Sequence, residues 1–307
     1  MAEIKPLKFA HIVNPVCSPA DSELGIAQPI TFESISNARA FTKSAIQVEF
    51  YCVGYEEDQN VAPDFFERLP TLQRSVTDLQ KFTTLKKYPI FKDVLSAVYE
   101  KTDADFLLYS NMDIALMPQF YNAVVQIIEN EQCDALVVNR RGISKKYKYP
   151  NQLPLMYSEY GMPHPGFDCF IFKRTLLPQL ILDDICLGVS FSEVAMIHNL
   201  IAFAEKLVLE DKLHLTFHIG TEVMPPLNTE YYTYNRTIYE KKIYPKLKPY
   251  LELKKFPYAM QPAYKRLLKW ALNPSFRTHL MLEMEGKSLG RKLKYIFDSW
   301  RFSLLDK

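Results

Sequence analysis

Two polar residues, Asn111 and Asp113, follow directly after a short apolar run, and both carry the oxygen ligands that divalent cations prefer. The run from Asp105 to Tyr109 (DFLLY) predicts a buried strand that ends where these residues begin. In open α/β sheets, ligands bind beyond the carboxyl ends of the strands. A carboxylate at such a place, with a second oxygen ligand beside it, can hold a cation that neutralises a diphosphate. The alternative is a turn or cap before a helix near Pro118, a common role for Asp and Asn.

Further polar side chains stand at the ends of other predicted strands. Arg140 and Arg141 follow the apolar run ALVVN, where they could bind a phosphate or an acceptor. Asp168 opens the otherwise apolar run DCFIF, and a charge there needs a polar partner. We therefore consider Asp168 a candidate for acid–base chemistry or for binding a hydroxyl group of a substrate. His164 lies between two prolines on a stiff loop and is a further candidate for acid–base chemistry or substrate binding.

The elements that must position these residues alternate between apolar runs and helical patterns. We predict strands over residues 8–16, 46–53, 105–109, 135–139, 168–172 and 213–219. We predict helices over residues 30–44, 89–100, 118–129 and 192–205, the last with Ser192 as a candidate cap. Buried strands separated by helices predict an α/β fold, with a mainly parallel sheet covered by helices on both faces.

Composition excludes several classes of function. The formal net charge of the 307 residues is +2, which is too small to favour nucleic acid as the main partner. Neither a G-x-G-x-x-G nor a P-loop pattern occurs, which argues against dinucleotide-binding and P-loop proteins. The 5 Cys form no C-x-x-C pair, so we expect reduced, mostly buried thiols. The sequence begins without an apolar signal core, and a cytoplasmic protein is expected.

The segment from Asp103 to Ile114 (DADFLLYSNMDI) resembles the strand and D-x-D motif of GT-A-type glycosyltransferases, which use nucleotide-sugar donors. The resemblance covers about residues 5 to 225 and includes the predicted helix before that strand. It implies a Rossmann-like GT-A sheet, with Mn²⁺ or Mg²⁺ bound through Asp113 against the donor diphosphate. It also implies transfer of the sugar to a saccharide or other hydroxyl acceptor, in surface polysaccharide or glycoconjugate synthesis. Asn111 replaces the first Asp of the motif, and its carbonyl oxygen can ligate the metal or bind a ribose.

The same resemblance assigns two later residues. His218, at the end of LHLTFHI, falls where many GT-A enzymes have a histidine that completes the metal shell. His214 lies on the same face if the strand alternates, but His218 precedes Gly220 and a loop. The run GVSFSE, which ends at Glu193, resembles the segment of inverting GT-A enzymes in which a carboxylate at a helix start is the base.

Each of these assignments has an ordinary alternative. A lone histidine at a strand end often serves only to satisfy the backbone. An acidic residue in a first helical turn, such as Glu193, often only complements the helix dipole. Asp168 also remains a rival to Glu193 as the base.

Nucleotide contacts are implied near the ends of the first two strands. The resemblance points to Asn14, Tyr55 and Asp58 there, and Lys87 could offset the charge of a diphosphate. An acidic turn such as the one that contains Asp58 is more often only solvated.

From about residue 256 the chain becomes basic, with Leu, Tyr and Trp between the cations at helical spacing. We expect a GT-A-like domain over residues 1–255 and a basic amphipathic helical extension over residues 256–307. The extension could lie on the anionic inner face of a membrane, or it could pack on the domain with a solvated basic face.

Two other functions compete with glycosyl transfer. A nucleotidyltransferase usually carries a Gly-rich basic loop after its first strand, whereas residues 14–19 (NPVCSP) are Pro-rich and uncharged. A non-catalytic GT-A-like scaffold that binds a saccharide or a partner is consistent with Asn111 in the motif.

Overall fold

A computed structural model describes residues 6–164, 166–220, 229–272 and 276 of the chain. Backbone contacts divide the chain into two compact units, Met1–Leu251 and Glu252–Lys307. Among the described residues, no helix combines the length and the apolar character needed to cross a bilayer. The cysteines are free thiols, and all of them except the exposed Cys17 are buried, as the sequence indicates.

The strands are β1 Leu7–Val13, β2 Ile46–Cys52, β3 Glu67–Arg68, β4 Phe106–Ser110, β5 Ala115–Leu116, β6 Ala135–Val138, β7 Arg141–Ile143, β8 Met162–Pro163, β9 Cys169–Lys173, β10 Leu207–Glu210 and β11 Thr216–Ile219. The helices are α1 Glu23–Ala40, α2 Glu56–Gln59, α3 Val76–Leu79, α4 Phe91–Lys101, α5 Phe120–Glu131, α6 Leu153–Ser158, α7 Ser192–Phe203, α8 Thr229–Ile238, α9 Tyr244–Leu247 and α10 Ala263–Leu272.

The main sheet of the described residues has the order β10-β6-β9-β4-β1-β2-β3. Its strand pairs are parallel except those of β9, which runs antiparallel to both β4 and β6. The mainly parallel α/β sheet predicted from the sequence is therefore confirmed. Because β9 is reversed, its first residues meet the carboxyl ends of β4 and β6 at one edge of the sheet.

Helices cover both faces of this sheet. Phe106 and Leu108 of β4 join a core cluster with residues of α1 and α5 on one face. Tyr109 points the other way, and its ring lies 4.9 Å from the ring of Phe91 at the start of α4. Alternation along one strand thus supplies apolar side chains to two layers of helices.

A second sheet has the order β5-β11-β7-β8 and consists of strands of two to four residues. Strand β11 pairs antiparallel with β5 and parallel with β7. Since β5 begins soon after β4 ends, this pairing brings the end of β11 beside the polar residues that follow β4. The sequence reading did not predict β5, β7 or β8.

Two predicted starts are wrong by three residues or more, and β1 and α1 also end earlier than predicted, at Val13 and Ala40. Helix α1 begins at Glu23 rather than residue 30, because Ser22 accepts a hydrogen bond from the Gly25 amide (3.0 Å) and caps a helix that contains Pro29. Strand β11 begins at Thr216, so His214 lies before the strand rather than on it.

Candidate active site at the carboxyl edge of the main sheet

The turn after β4 begins the site. The amide of Asn111 donates to the Asp168 carbonyl (3.3 Å), and the Ile114 amide donates to the Asn111 carbonyl (3.1 Å). Met112 between them is buried in the core. Asn111 and Asp113 remain partly exposed at the edge of the sheet. The polar exit predicted from the sequence is therefore a tight turn anchored to the start of β9.

Asp113 and His218 lie side by side. The pairing of β11 with β5 places His218 Nε2 3.3 Å from Asp113 Oδ2. Burial raises the pKa of Asp113. The hydrogen bond to His218 and the charges of His218 and Arg140 lower it by more than burial raises it, so the pKa lies below its ordinary value. His218 Nδ1 is 3.4 Å from the Gly220 carbonyl, so a neutral ring with its proton on Nδ1 would turn a bare Nε2 towards Asp113. In that tautomer Nε2 and the carboxylate are both acceptors, and a cation between them would replace the hydrogen bond.

The separation of these two atoms suits one divalent cation. Bonds of about 2.1 Å at a right angle separate two ligand atoms by about 3 Å. The part of the chain that the structure describes contains no group of three or more His, Cys, Asp and Glu side chains close enough to hold a metal. Mg²⁺ is commonly held by one or two protein ligands together with substrate phosphates and water. The donor set of Asp113 and His218 therefore fits a cation that arrives with a diphosphate.

Arg140 joins Asp168 and His164. Its Nη1 donates to Asp168 Oδ1 (2.7 Å), and its Nη2 lies 3.2 Å from His164 Nε2. The Gly166 amide donates to His164 Nδ1 (2.9 Å), and the Asn139 side chain donates to the His164 carbonyl (3.1 Å). The Arg140–Asp168 and Asn139–His164 bonds hold the loop before β9 against the end of β6.

Among the described residues, none forms a hydrogen bond with the second carboxylate oxygen of Asp168, although this oxygen is buried. Only 8% of the Asp168 side chain is exposed, and the nearest ring nitrogen, His164 Nδ1, is 3.9 Å from Oδ2, beyond hydrogen-bond distance. Burial raises the pKa of Asp168, as does the charge of Asp113, while Arg140 and His218 oppose the rise. A buried acceptor without a partner is costly, and a ligand that donates a hydrogen bond there would relieve that cost.

Glu193 occupies the second position of α7. The residue before the helix, Phe191, has φ of 83°, a left-handed conformation that bulky residues rarely adopt. Burial raises the pKa of Glu193 to about 7, with a further rise from Asp168, while Ser192 and Arg140 oppose the shift. Ser192 Oγ donates to Glu193 Oε2 (3.0 Å), or to the Val189 carbonyl (2.9 Å). The prediction that Ser192 caps the helix is therefore wrong. Ser192 is the first residue of α7, and Phe191 occupies the N-cap position.

After burial, the largest cause in each case, charge effects connect Asp113, Asp168 and Glu193. Asp113 raises the pKa of Asp168, and Asp168 raises that of Glu193. Burial raises the pKa of Tyr109 first, and the charges of Asp113 and Glu193 raise it further. We use the name carboxylate cluster for Asp113, Arg140, His164, Asp168, Glu193 and His218.

Residues implied for nucleotide binding form a second group at the ends of β1 and β2. Asn14 donates to the Val53 carbonyl (2.7 Å), and Asp58 accepts from the Cys17 amide (2.7 Å). Tyr55 donates to the Arg74 carbonyl (3.1 Å), and Lys87 Nζ lies 5.5 Å from the Tyr55 ring centroid while pairing with Glu57. We use the name first-strand cluster for Asn14, Tyr55, Asp58 and Lys87.

Arg141 is directed elsewhere. Its guanidinium donates to the carbonyls of Tyr160 (2.6 Å) and Gly161 (3.0 Å) and lies 3.8 Å from the Tyr160 ring centroid. These contacts hold β7 to the segment before β8, so the structure does not bring this side chain into the carboxylate cluster.

Sequence reasoning missed a buried histidine beneath the site. His11 of β1 contacts the Tyr121 hydroxyl through Nδ1 (2.7 Å) and the Ser110 hydroxyl through Nε2 (2.8 Å). Burial lowers the pKa of His11 to about 3, so its ring is neutral and its role is to fix the end of β4. Its place inside an apolar strand is the signal that could have revealed it.

No protein-family model and no curated protein matches this chain. Similar solved structures include GT-A-type glycosyltransferases. The crystal structure of S. aureus TarS in complex with UDP-GlcNAc aligns with a TM-score of 0.45 and 12% identity over 87% of this chain and 79% of that chain. The crystal structure of M. tuberculosis glucosyl-3-phosphoglycerate synthase in complex with Mg²⁺ and UDP gives a TM-score of 0.41 and 12% identity over 76% of each chain. At these values the likeness carries no conclusion about ligand or reaction.

Proposed function

We propose that this protein is a glycosyltransferase that moves a sugar from a nucleotide diphosphate donor to a hydroxyl of a saccharide or another acceptor. The observation that carries the proposal is the carboxylate cluster at the carboxyl edge of a mainly parallel α/β sheet. Its paired Asp113 and His218 suit a cation-bound diphosphate, and its partly buried Glu193 suits proton transfer. The resemblance of residues 103–114 to the D-x-D segment supports the same reaction.

Glu193 is the better candidate for the base. Asp168 already accepts a strong hydrogen bond from Arg140, which stabilises its charged form and weakens it as a base. Among the described residues, Glu193 has the Ser192 hydroxyl as its one side-chain hydrogen-bond partner, and its pKa of about 7 suits a base that works near neutral pH. Since Ser192 binds Oε2, we assign proton abstraction to Oε1.

The proposed step is a direct displacement. Glu193 Oε1 takes the proton of the acceptor hydroxyl while the hydroxyl oxygen bonds to the anomeric carbon of the donor sugar. The bond from that carbon to the diphosphate oxygen breaks, and its electron pair leaves with the nucleoside diphosphate. Asp168 Oδ2, which is buried and without a partner, accepts a hydrogen bond from a sugar hydroxyl and orients the ring.

Asp113 and His218 would hold Mn²⁺ or Mg²⁺, with Asn111 close by as a further oxygen donor. When bound, the cation would neutralise charge that develops on the departing diphosphate. Arg140 stays paired with Asp168, so its part is to orient that carboxylate rather than to bind a phosphate. His164 packs against the same guanidinium and helps to fix it.

The first-strand cluster would hold the nucleoside. Tyr55 offers an aromatic face, and Asp58 keeps one carboxylate oxygen for a base or ribose because the Cys17 amide occupies only Oδ1. Asn14 lies beside Gly54, where an added Cβ would be 3.7 Å from the Asn14 side chain. Lys87 is exposed and would meet the diphosphate only by leaving Glu57.

A panel of donors tests the proposal. The unfolding temperature of the full chain is measured with UDP-, GDP- and CMP-linked sugars, each with and without Mn²⁺. We expect one nucleotide class to raise it, and Mn²⁺ to increase the effect. The same donor should then release nucleoside diphosphate in the presence of an acceptor. If no nucleotide stabilises the protein, the non-catalytic scaffold is favoured. The replacement of the first Asp of the motif by Asn111 is the observation that supports this alternative.

We also propose that the extension contacts an anionic membrane surface. In α10, the side chains of Tyr264, Leu268 and Leu272 are 60–70% exposed and recur every four residues. Lys265 and Lys269 lie in the same helix, while Trp270 is buried and donates to the Pro257 carbonyl (2.9 Å). An exposed apolar stripe beside cations suits a leaflet of anionic lipid. Sedimentation with phosphatidylserine vesicles, and not with phosphatidylcholine vesicles, is the expected result.

A further inference from the structure

The turn that leads into α7 is held in an uncommon backbone conformation. Gly188 has φ of 74° and Phe191 has φ of 83°, and Glu193 follows two residues later. A left-handed conformation at a bulky residue is unfavourable and persists only where the surroundings fix it. The start of this segment is fixed on one side, because the Leu187 amide donates to the Pro89 carbonyl (2.9 Å).

Asn235 of α8 fixes the same turn from the other side. Its Oδ1 accepts from the Cys186 amide (3.0 Å), and its Nδ2 contacts the carbonyls of Cys186 (2.9 Å), Ser190 (3.2 Å) and Val189 (3.3 Å). The Asn235 side chain is completely buried. One amide group therefore satisfies both ends of a turn that lies more than 40 residues away in the sequence.

Helix α8 is itself anchored at both ends of the same face. Tyr231, one turn earlier, donates to the Thr84 carbonyl (2.6 Å) and stacks on Phe82 with ring centroids 4.1 Å apart. Tyr239, one turn later and the first residue beyond α8, binds the buried His198 of α7. Residues spaced by four lie on one face of a helix, so Asn235 is held between two fixed contacts.

We propose that Asn235 is a positioning residue, which holds the Gly188–Phe191 turn and thereby sets the place of the Glu193 carboxylate. The inference rests on the proposed function, in which Glu193 is the base. Asn235 does not touch the substrate. Its contribution is the rigidity of the turn, and a displacement of the base by about 1 Å can reduce turnover about 100-fold.

The test compares Asn235→Ala with Asn199→Ala. Asn199 is a matched control because it is equally buried on α7 and bridges the backbone of Ile181 and Ala195, away from the turn. We expect both variants to unfold at a lower temperature, since both lose buried hydrogen bonds. Only Asn235→Ala should lower kcat, by about 10- to 100-fold, with little change in the KM for the donor. Equal values of kcat in the two variants would overturn the inference.

A second variant protects the test against misfolding. Gly188→Ala removes no buried hydrogen bond, but it opposes the φ of 74° and brings a Cβ within 3.2 Å of the Tyr88 ring. It should lower kcat in the same way as Asn235→Ala, and an unchanged kcat would count against the role of the turn.

The carboxyl pKa of Glu193, followed by ¹³C NMR, gives a readout that needs no turnover. It should fall from about 7 towards the ordinary value of about 4.3 in Asn235→Ala, because a loosened turn exposes the carboxylate. An unchanged pKa would refute the positioning role. A wild-type protein that transfers no sugar would instead refute the proposed function, and the NMR result would still decide the role of Asn235.

Discussion

The two polar clusters at the carboxyl edge of the sheet differ in how their side chains are satisfied. In the first-strand cluster, Asn14, Tyr55 and Asp58 each form a hydrogen bond with backbone. In the carboxylate cluster, Asp168 keeps a buried oxygen without a partner, and Glu193 lies where burial disfavours its charge. The first arrangement stabilises the fold, whereas the second leaves polar groups that a ligand would satisfy. The comparison shows that the polar groups left without hydrogen bonds, or with a raised pKa, lie in the cluster to which we assign the chemistry.

The largest expected effect comes from Glu193→Gln. Removal of a general base typically costs about 10²- to 10⁴-fold in rate, so kcat should fall by that amount while the fold is kept. Steady-state kinetics with the donor identified by thermal shift measures it. The control is Glu205→Gln, an exposed glutamate just beyond the end of α7, which should leave kcat unchanged.

Asp168→Asn sharpens that result. If Asp168 orients a hydroxyl, its neutral variant should be less impaired than Glu193→Gln. A larger loss in Asp168→Asn would reverse the assignment of the base.

Asp113→Ala is expected to reduce kcat/KM by roughly 100-fold or more, because one side of the proposed cation site is lost. The stabilisation by Mn²⁺ in the thermal-shift experiment should disappear as well. Asp64→Ala is the control, since Asp64 is fully exposed and pairs only with Arg68 in this structure. Wild-type rates in Asp113→Ala would reject the cation site.

The pH dependence should follow the carboxylate cluster. A base must be deprotonated, so kcat/KM should fall about tenfold per pH unit below pH of about 7, the pKa of Glu193. The free energy of unfolding should change in the opposite direction to kcat/KM as the pH rises. Because the folded pKa is raised, the folded state binds more protons than the unfolded state between about pH 4.3 and 7, and stability falls as pH rises through that window.

Glu193→Gln removes that dependence, so at pH 8 the variant should unfold at a higher temperature than the wild type. Thermal unfolding from pH 4 to 8 measures both curves. Parallel curves for the two proteins would mean that Glu193 titrates normally.

The smallest effect is expected from the first-strand cluster. Tyr55→Phe removes one hydroxyl that binds the Arg74 carbonyl, so it should cost about 1 kcal/mol of stability. It should raise the donor KM by at most a few-fold, since the aromatic face is kept. Chemical unfolding and donor titration measure the two effects. A loss of kcat as large as that of Glu193→Gln would remove the distinction between the clusters.

The main sheet could be predicted because its strands are apolar runs that the chain separates by helices. The runs at β4, β6 and β9 have few polar interruptions, and each predicted range overlaps its strand. The second sheet could not be predicted in this way. Strands such as β5 and β8 have two residues, which is too short for any periodic pattern. The predicted start of α1 falls just after Pro29, and a proline inside a helix resembles a boundary.

The carboxylate cluster was predictable in its members but not in its pairing. Asp113 and Asp168 lie at strand ends and Glu193 lies at a helix start, and polar residues at such positions are candidates for ligand binding. The partner of Asp168 depends on how β9 lies between β4 and β6, which local sequence does not reveal. Asn235 lies in a polar helix among tyrosines, and nothing in its local sequence indicates that it binds a turn more than 40 residues earlier.

The reversed direction of β9 has a consequence for how such a protein can diversify. A chain that enters an interior strand from the ligand side must first reach that side of the sheet, here through residues 144–167. That connection can lengthen or change its composition while Cys169, the first residue of β9, stays in register with β4 and β6 and keeps Asp168 beside them. Acceptor preference could therefore drift through one connecting stretch, while the residues proposed to handle the diphosphate stay unaltered.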